Sequence, residues 1–253
     1  MNRRISILGC GWLGSELALA LIDKGYLVYG STTSKIKVNK LKGVTPFLID
    51  ISKRGDDYSE FLSSEILVIS ITSKNIIDFN ILINRIEKSE IRKVIFISST
   101  SVYSNTNSLV TEETETNNSP LADIEKLFKS NYFFECTIIR FGGLFGYDRK
   151  PGNFIKSGKK IENPEGYINF IHRDDCIQII QQIIMKNVWN EVLNACVDNH
   201  PKRRAFYIKE AAKLGRNEVH FNEQSENNYK IVCSQKLKNI LKYEFKYADL
   251  MDY

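Results

Sequence analysis

A doubly wound α/β fold, built on a parallel sheet with a small C-terminal subdomain, is predicted by three features of the sequence. Short apolar runs alternate with helix-period segments through the first half, a glycine-rich turn follows the first of those runs, and the middle of the chain breaks into glycine- and proline-rich loops. At 253 residues and 43% hydrophobic content the chain is long enough for one large core with a small appendage. The expectation is therefore a single domain over 1–253, with 141–172 and 198–253 supplying the subdomain.

Six apolar runs read as strands: Ser6 to Leu8, Leu27 to Tyr29, Pro46 to Ile49, Ile66 to Ile71, Val94 to Ile97 and Thr137 to Arg140. Leu13 to Lys24 reads as the first helix, because Leu13, Leu17, Leu19, Ala20 and Ile22 suit a helix whose N-terminus packs tightly and Lys24-Gly25 gives a basic last turn and a stop. Ile76 to Lys88 reads as another. Right-handed crossovers then build the doubly wound sheet. Residues 141–165, with Gly142-Gly143, Gly146, Pro151-Gly152, Gly158 and Pro164, read as loop with one short helix. An apolar segment at Tyr167 to Ile171, a helix from Asp174 to Met185, a strand at Val192 to Ala195 and a helix from Pro201 to Leu214 follow. The tyrosine-rich tail, Leu237 to Tyr253, is expected to pack back on the body.

Composition narrows the function classes. With 35 Lys+Arg against 30 Asp+Glu, the net charge of +5 is spread over a mixed surface, which argues against a nucleic-acid partner. The five cysteines are odd in number and scattered, with no C-x-x-C pair, and His200 and His220 stand alone. Neither a disulfide framework nor a metal site is expected, and a reducing compartment fits best. The apolar run after the N-terminus is shorter than a signal peptide or span requires, so the expectation is a soluble, cytoplasmic protein with no membrane partner, monomeric or homodimeric.

Gly9-Cys10-Gly11-Trp12-Leu13-Gly14 is a G-x-G-x-x-G placed between a strand and a helix. The first glycine allows a tight turn, the second lets backbone approach a pyrophosphate, and the third lets the helix pack closely, so that Trp12, Leu13 and their neighbours present amides and the helix dipole to phosphates. A dinucleotide-binding Rossmann fold follows. After the second strand, where an acid would select NAD, stands Gly30-Ser31-Thr32-Thr33-Ser34-Lys35. Hydroxyls of Ser31, Thr32 and Thr33 and the charges of Lys35 and Lys37 suit the extra phosphate of NADP, with NAD as the other candidate. Lys35 reads equally as part of a solvated helix face with Lys37, Lys40 and Lys42. Asp50 is a candidate partner for the adenine amino group, or an ordinary turn residue, and Ser70 completes the cofactor set.

Beyond the glycines, Ile97-Ser98-Ser99-Thr100-Ser101-Val102-Tyr103, Thr111-Glu112-Glu113, the run from Ile139 to Gly146, and Phe170-Ile171-His172-Arg173-Asp174-Asp175 occur in order. With these the chain resembles, over nearly its whole length, the NAD-dependent epimerase/dehydratase family, the extended short-chain dehydrogenases. Asn194 to Pro201 followed by Phe206-Tyr207 looks like an atypical branch of it. The resemblance implies NAD(P) binding and oxidation, epimerisation or dehydration of a small, sugar-like substrate. It puts Ser99 at the position of the oxyanion-steadying hydroxyl, and Tyr103 beside the nicotinamide.

The family's Tyr-x-x-x-Lys pair, in which Lys lowers the phenol pKa so that the tyrosinate takes the alcohol proton, is missing. Aligning Lys126 to the family Lys leaves Ala122 at the Tyr position; aligning Glu125 to the helix's later Glu deletes the pair. Ile168 stands where sugar-nucleotide epimerases carry a diphosphate-gripping arginine. Ser99 and Tyr103 are therefore the catalytic candidates, and Arg140, Asn153, His172 and Arg173 the substrate-side ones, with Lys156 as another phosphate contact. Each has a plainer role: Tyr103 as a packed aromatic, Arg140 as a partner of Asp174 or Asp175, His172 as a structural histidine. A non-catalytic dinucleotide-binding sensor or scaffold is the alternative to an enzyme.

Overall fold

The computed structural model describes residues 4–155, 158–216 and 218–253; Lys156 lies outside them. In chain order the first half carries β1 (Arg4–Leu8), α1 (Gly14–Ile22), β2 (Leu27–Thr32), α2 (Lys35–Val38), β3 (Thr45–Leu48), β4 (Ile66–Ile69), α3 (Ile76–Glu87), β5 (Lys93–Ser99), β6 (Ser108–Val110) and α4 (Pro120–Lys129). The second half carries β7 (Glu135–Phe141), β8 (Gly143–Phe145), β9 (Phe170–His172), α5 (Arg173–Met185), β10 (Val192–Ala195), α6 (Arg203–Ala212), β11 (Lys230–Val232) and α7 (Gln235–Leu241).

Seven strands form one sheet in the order β10-β7-β5-β4-β1-β2-β3. The pairs β1–β2, β1–β4, β2–β3 and β4–β5 run parallel. The order reverses at β1, which is bonded to both β2 and β4, and this is the switch point of a doubly wound fold. All six strands expected from the apolar runs are present.

The chain divides into two compact units. The first comprises Met1–Ser98, Asn118–Ile139 and Ile180–Val192. Its central strands β1, β4 and β5 are largely buried on both faces, with Ile5, Ile7, Val68, Ile69 and Val94 fully enclosed, which is why they read as apolar runs, while the edge strand β3 is mostly exposed. Phe96 stacks on Phe128 of α4 at 4.8 Å, and Phe79 of α3 meets both rings edge-on. Local capping sets the helix starts: Asn75 accepts from the Ile77 amide before α3, and Ser119 with Pro120 opens α4. The buried Ser6 hydroxyl is satisfied by the Phe61 carbonyl and Ser64.

The second unit comprises Ser99–Asn117, Arg140–Ile179 and Leu193–Tyr253. Two parallel strand pairs, β8–β9 and β11–β6, frame it. Its core joins Phe145, Ile161, Ile168, Val197, Phe206, Tyr207 and Leu250. Leu250 belongs to the tail, which packs back as expected, and the anchor is polar. Fully buried Asp175 accepts from the Tyr243 hydroxyl at 2.7 Å and from the amides of Lys246 and Tyr247 at 2.8 and 3.2 Å. Asp174 takes Tyr247, Lys246 and Tyr147.

Several boundaries differ from expectation: β4 ends at Ile69 rather than Ile71, and α1 covers Gly14–Ile22 rather than Leu13 to Lys24. Pro201 is not in the first turn of α6, because its carbonyl is taken by the Ile168 amide and Lys202 bridges to Tyr167, so the backbone stays extended until Arg203. Within 141–165 a short strand, β8, accompanies the expected short helix, a 3-10 turn at Pro151–Phe154. Among the described residues no helix is long and apolar enough to cross a membrane, and no group of three or more His, Cys, Asp or Glu is arranged to hold a metal ion.

Replacing Asp175 by Ala strips one hydroxyl and two amides of their acceptor and should lower unfolding free energy by about 2 to 4 kcal/mol in urea denaturation. A loss under about 0.5 kcal/mol, the scale of a neutral surface change, would show that the tail is not held this way.

Candidate functional site

A groove of about 500 Å³ runs along the carboxyl ends of β1, β2, β3 and β4 in the first unit. Gly9, Cys10 and Gly11 line it after β1, Ser31, Thr32, Thr33 and Lys37 after β2, Ile49 to Ser52 after β3, and Ser70 to Ser73 after β4. It lies at the switch point, where α/β sheets bind ligands.

The three glycines differ in what surrounds them. Gly9 has φ +100°, and a Cβ there would lie 2.5 Å from the Ser70 carbonyl oxygen. A Cβ at Gly14 would collide with the Gly9 carbonyl oxygen. At Gly11 a Cβ would meet nothing within 4 Å. Two glycines thus close the turn against protein, while the third leaves open space on a groove wall. Leu13 precedes α1 with no side-chain cap bond, so no side-chain oxygen competes for the first-turn amides. Trp12, Leu13 and Gly14 lead into the helix without lining the groove.

The hydroxyls after β2 divide their work. Buried Ser31 accepts from the Gly9 amide at 3.1 Å, and its carbonyl takes the Cys10 amide at 2.7 Å, so it holds the glycine turn to β2. Thr32 accepts from the Ser34 amide, and Ser34 caps α2. Thr33 is exposed in the groove. Of the lysines, Lys37 and not Lys35 lines it; α2 ends at Val38, so Lys40 and Lys42 lie beyond the helix. Asp50 accepts from the hydroxyl and amide of Ser52, which hold its carboxyl below the usual range and keep it ionised. Burial pushes the Cys10 thiol up to about 12, leaving it unreactive on the groove wall.

At the positions of the missing pair, Ala122 is buried and Lys126 is exposed and bonded to Asp123 at 3.0 Å. Glu125 is buried and accepts from Ser98 at 2.5 Å.

In the second unit Ser99 is half-buried and its oxygen accepts from the Ser101 amide at 3.1 Å, capping the 3-10 turn Thr100–Val102. Tyr103 is 2% exposed. Its hydroxyl donates to Asn194 Oδ1 at 2.8 Å and accepts from Arg140 Nη1 at 2.6 Å, and burial raises its pKa although Arg140 and Asn194 oppose the rise. Arg140 thus meets Tyr103, while Asp174 and Asp175 hold the tail. His172 is 5% exposed, lies against Tyr247 with ring centroids 3.7 Å apart, and accepts the Asp174 amide on Nδ1 at 3.2 Å. Burial lowers its pKa despite Asp174 and Asp175, so the neutral ring is favoured. Arg173 covers the Tyr147 ring at 4.2 Å, and Asn153 is exposed on the Pro151–Phe154 turn.

Of the expected cofactor residues, the groove gathers Gly9, Gly11, Ser31, Thr32, Thr33, Asp50 and Ser70. Lys37, expected beside Lys35 at the extra phosphate, lines it too, as do Cys10, Ser52 and Thr72, which sequence reasoning did not assign. The polar run Ser70-Ile71-Thr72-Ser73 directly after an apolar strand was the available signal for the last of these.

The architecture is a doubly wound, Rossmann-like α/β fold, which solved structures of NAD-dependent epimerase/dehydratase-like proteins share. Protein YeeZ of Escherichia coli strain K12 is 28% identical over 267 aligned positions, covering 98% of this chain and 97% of the relative. A functionally unknown conserved protein from Silicibacter pomeroyi DSS superimposes with a TM-score of 0.83 at 19% identity, covering 98% of this chain and 95% of that one. UDP-glucuronic acid 4-epimerase from Bacillus cereus, solved in complex with NAD, superimposes with a TM-score of 0.78, also at 19% identity, covering 98% and 93%. No protein-family model matches the chain.

The glycine surroundings make a direct prediction for thermal or urea unfolding. Gly14→Ala should cost about 1 to 3 kcal/mol by forcing α1 off the turn, whereas Gly11→Ala should stay within about 0.5 kcal/mol of the parent. Equal effects would mean that the turn is not packed as described.

Proposed function

We propose that this chain binds a nicotinamide adenine dinucleotide in the groove of its first unit, NADP(H) in preference to NAD(H), and acts as an oxidoreductase or isomerase on a small, sugar-like molecule. The observation that carries the reading is the contrast at the glycine turn: Gly9 and Gly14 are closed by protein, while Gly11 faces open groove beside an uncapped helix start. That is the surrounding a pyrophosphate needs, with backbone amides and a helix dipole and no side chain to keep it away. The NAD complex of the fold relative from B. cereus supports the ligand class.

In this reading the first-turn amides of α1 hold the diphosphate, ionised Asp50 accepts from the adenine amino group, and Thr33 with Lys37 meets the extra phosphate of NADP. No carboxylate stands at the end of β2 to repel that phosphate. The bound nicotinamide would supply hydride exchange. Ser99 is then the hydroxyl available to steady a developing oxyanion.

One observation favours a second reading, a dinucleotide-binding protein without alcohol-oxidising chemistry. The Tyr103 hydroxyl is buried and already bonded on both sides, its pKa is raised by burial, and the other tested positions carry Ala122 and an exposed, paired Lys126. We therefore read Tyr103 as a structural tyrosine and not as a base.

Calorimetry tests both parts. NADPH should bind more tightly than NADH, and Lys37→Ala should weaken NADPH by about tenfold, the worth of one charge-assisted bond, with little effect on NADH. Equal affinities, or an NADH preference, would overturn the cofactor assignment. Tyr103→Phe should lower stability by about 1 to 3 kcal/mol, since it leaves Asn194 Oδ1 without a buried donor, and should leave NADPH affinity unchanged. Full stability with lost turnover would instead restore Tyr103 to the chemistry.

A further inference from the structure

Buried cations are normally paired, because an ammonium taken out of water loses hydration that only a counter-ion or several acceptors restore. Lys230 of β11 breaks that rule. It is half-buried, and its Nζ donates at 2.5 Å to the backbone carbonyl of Tyr103. No carboxylate pairs with it among the described residues; burial alone accounts for its lowered pKa, with no acid acting to raise it. An ammonium carries three donors, and one carbonyl uses one of them.

Lys230 lines a cavity of about 220 Å³ within the second unit. A second cation, Arg203 at the start of α6, also lines it, its Nε spent on the Glu162 carbonyl at 3.1 Å and its guanidinium on the Tyr207 ring, again with no carboxylate partner among the described residues. The rest of the lining is amide and aromatic. Asn105, Asn163 and Asn228 offer neutral hydrogen-bonding groups, the rings of Tyr167 and Tyr229 meet edge-on at 4.9 Å, and among the described residues no Asp or Glu lines the cavity. The Oδ1 of Asn163 is buried without a hydrogen-bond partner. The frame is rigid: Asn169 donates to the Lys230 carbonyl and accepts from the Val232 amide, fixing β11.

We propose that this cavity is an oxyanion site, in which Lys230 and Arg203 bind the phosphate or carboxylate of a small hydroxylated molecule and the asparagines and tyrosines take its hydroxyls and carbon face. The missing counter-ion of two cations is what the ligand brings. Hydroxyl groups suit amides that both donate and accept, and an aromatic face suits the C–H side of a polyol. The site is independent of dinucleotide binding and is tested without it.

Saturable binding of inorganic phosphate, gluconate and glucose is measured by calorimetry on the full chain. Phosphate or gluconate should bind and glucose alone should not, the tighter anion identifying the source of the charge. Lys230→Gln and Arg203→Gln should each weaken the anion at least about tenfold, the scale of one charge-assisted bond, while NADPH affinity is unchanged. Should Lys230→Gln fail to fold, protection of the wild-type Lys230 amine from acetylation, read by mass spectrometry, replaces it: the bound anion should slow labelling of Lys230 and leave exposed Lys159 unaffected. Absence of saturable binding by either anion, wild-type affinity in either variant, or no protection of Lys230 would overturn the proposal.

Discussion

The first unit depends on one steric constraint: residue 14 can have no side chain, because the Gly9 carbonyl oxygen occupies the place where its Cβ would go. That contact lets α1 start directly against the end of β1. Gly9 turns at φ +100° over the Ser70 carbonyl directly after β1, the strand at which the sheet order reverses between β2 and β4. Ser31 then ties the turn to β2 through the Gly9 and Cys10 amides. Groove, helix start and strand ends follow from three small residues, each with a different steric task.

The second unit is organised by buried polar pairs. Asp174 and Asp175, adjacent at the start of α5, divide the tail between them, and their carboxylates are matched by hydroxyl, ammonium and amide donors. Tyr103, Arg140 and Asn194 form a second network, extended by Glu112 accepting from the Asn194 amide. Satisfied networks of this kind fix geometry strongly in a low-dielectric interior. They also explain why residues that looked chemically available in the sequence are occupied in the fold.

The central strands were legible in the sequence because they are enclosed on both faces and so form short apolar runs, whereas the exposed edge strand β3 was marked only by Pro46 to Ile49. Ile66 to Ile69 and Val94 to Phe96 are examples of the enclosed runs, and the glycine fingerprint was readable because its spacing is set by local backbone geometry. Strands β6 and β11, three residues each and paired across more than a hundred positions, carry no periodicity that one segment could show. Pro201 marked a helix start locally, but a hydrogen bond from Ile168 outweighed the local preference. Which lysine entered the groove depended on α2 being a single turn of helix, which put Lys37 rather than Lys35 on its wall. Tyr103 could not be judged from sequence because its two partners, Arg140 and Asn194, are distant along the chain.

On the proposed function, the open glycine turn is a ligand site and not merely a packed corner. Hydrogen–deuterium exchange followed by mass spectrometry, with and without NADPH, tests it most directly, since a bound diphosphate shields the amides it contacts. Slowed exchange confined to peptides spanning Gly9 to Ser15, Ser31 to Lys37 and Ser70 to Ser73 is the predicted result. Unchanged exchange in the Gly9 to Ser15 peptide at saturating NADPH, or protection elsewhere without it, would contradict the account.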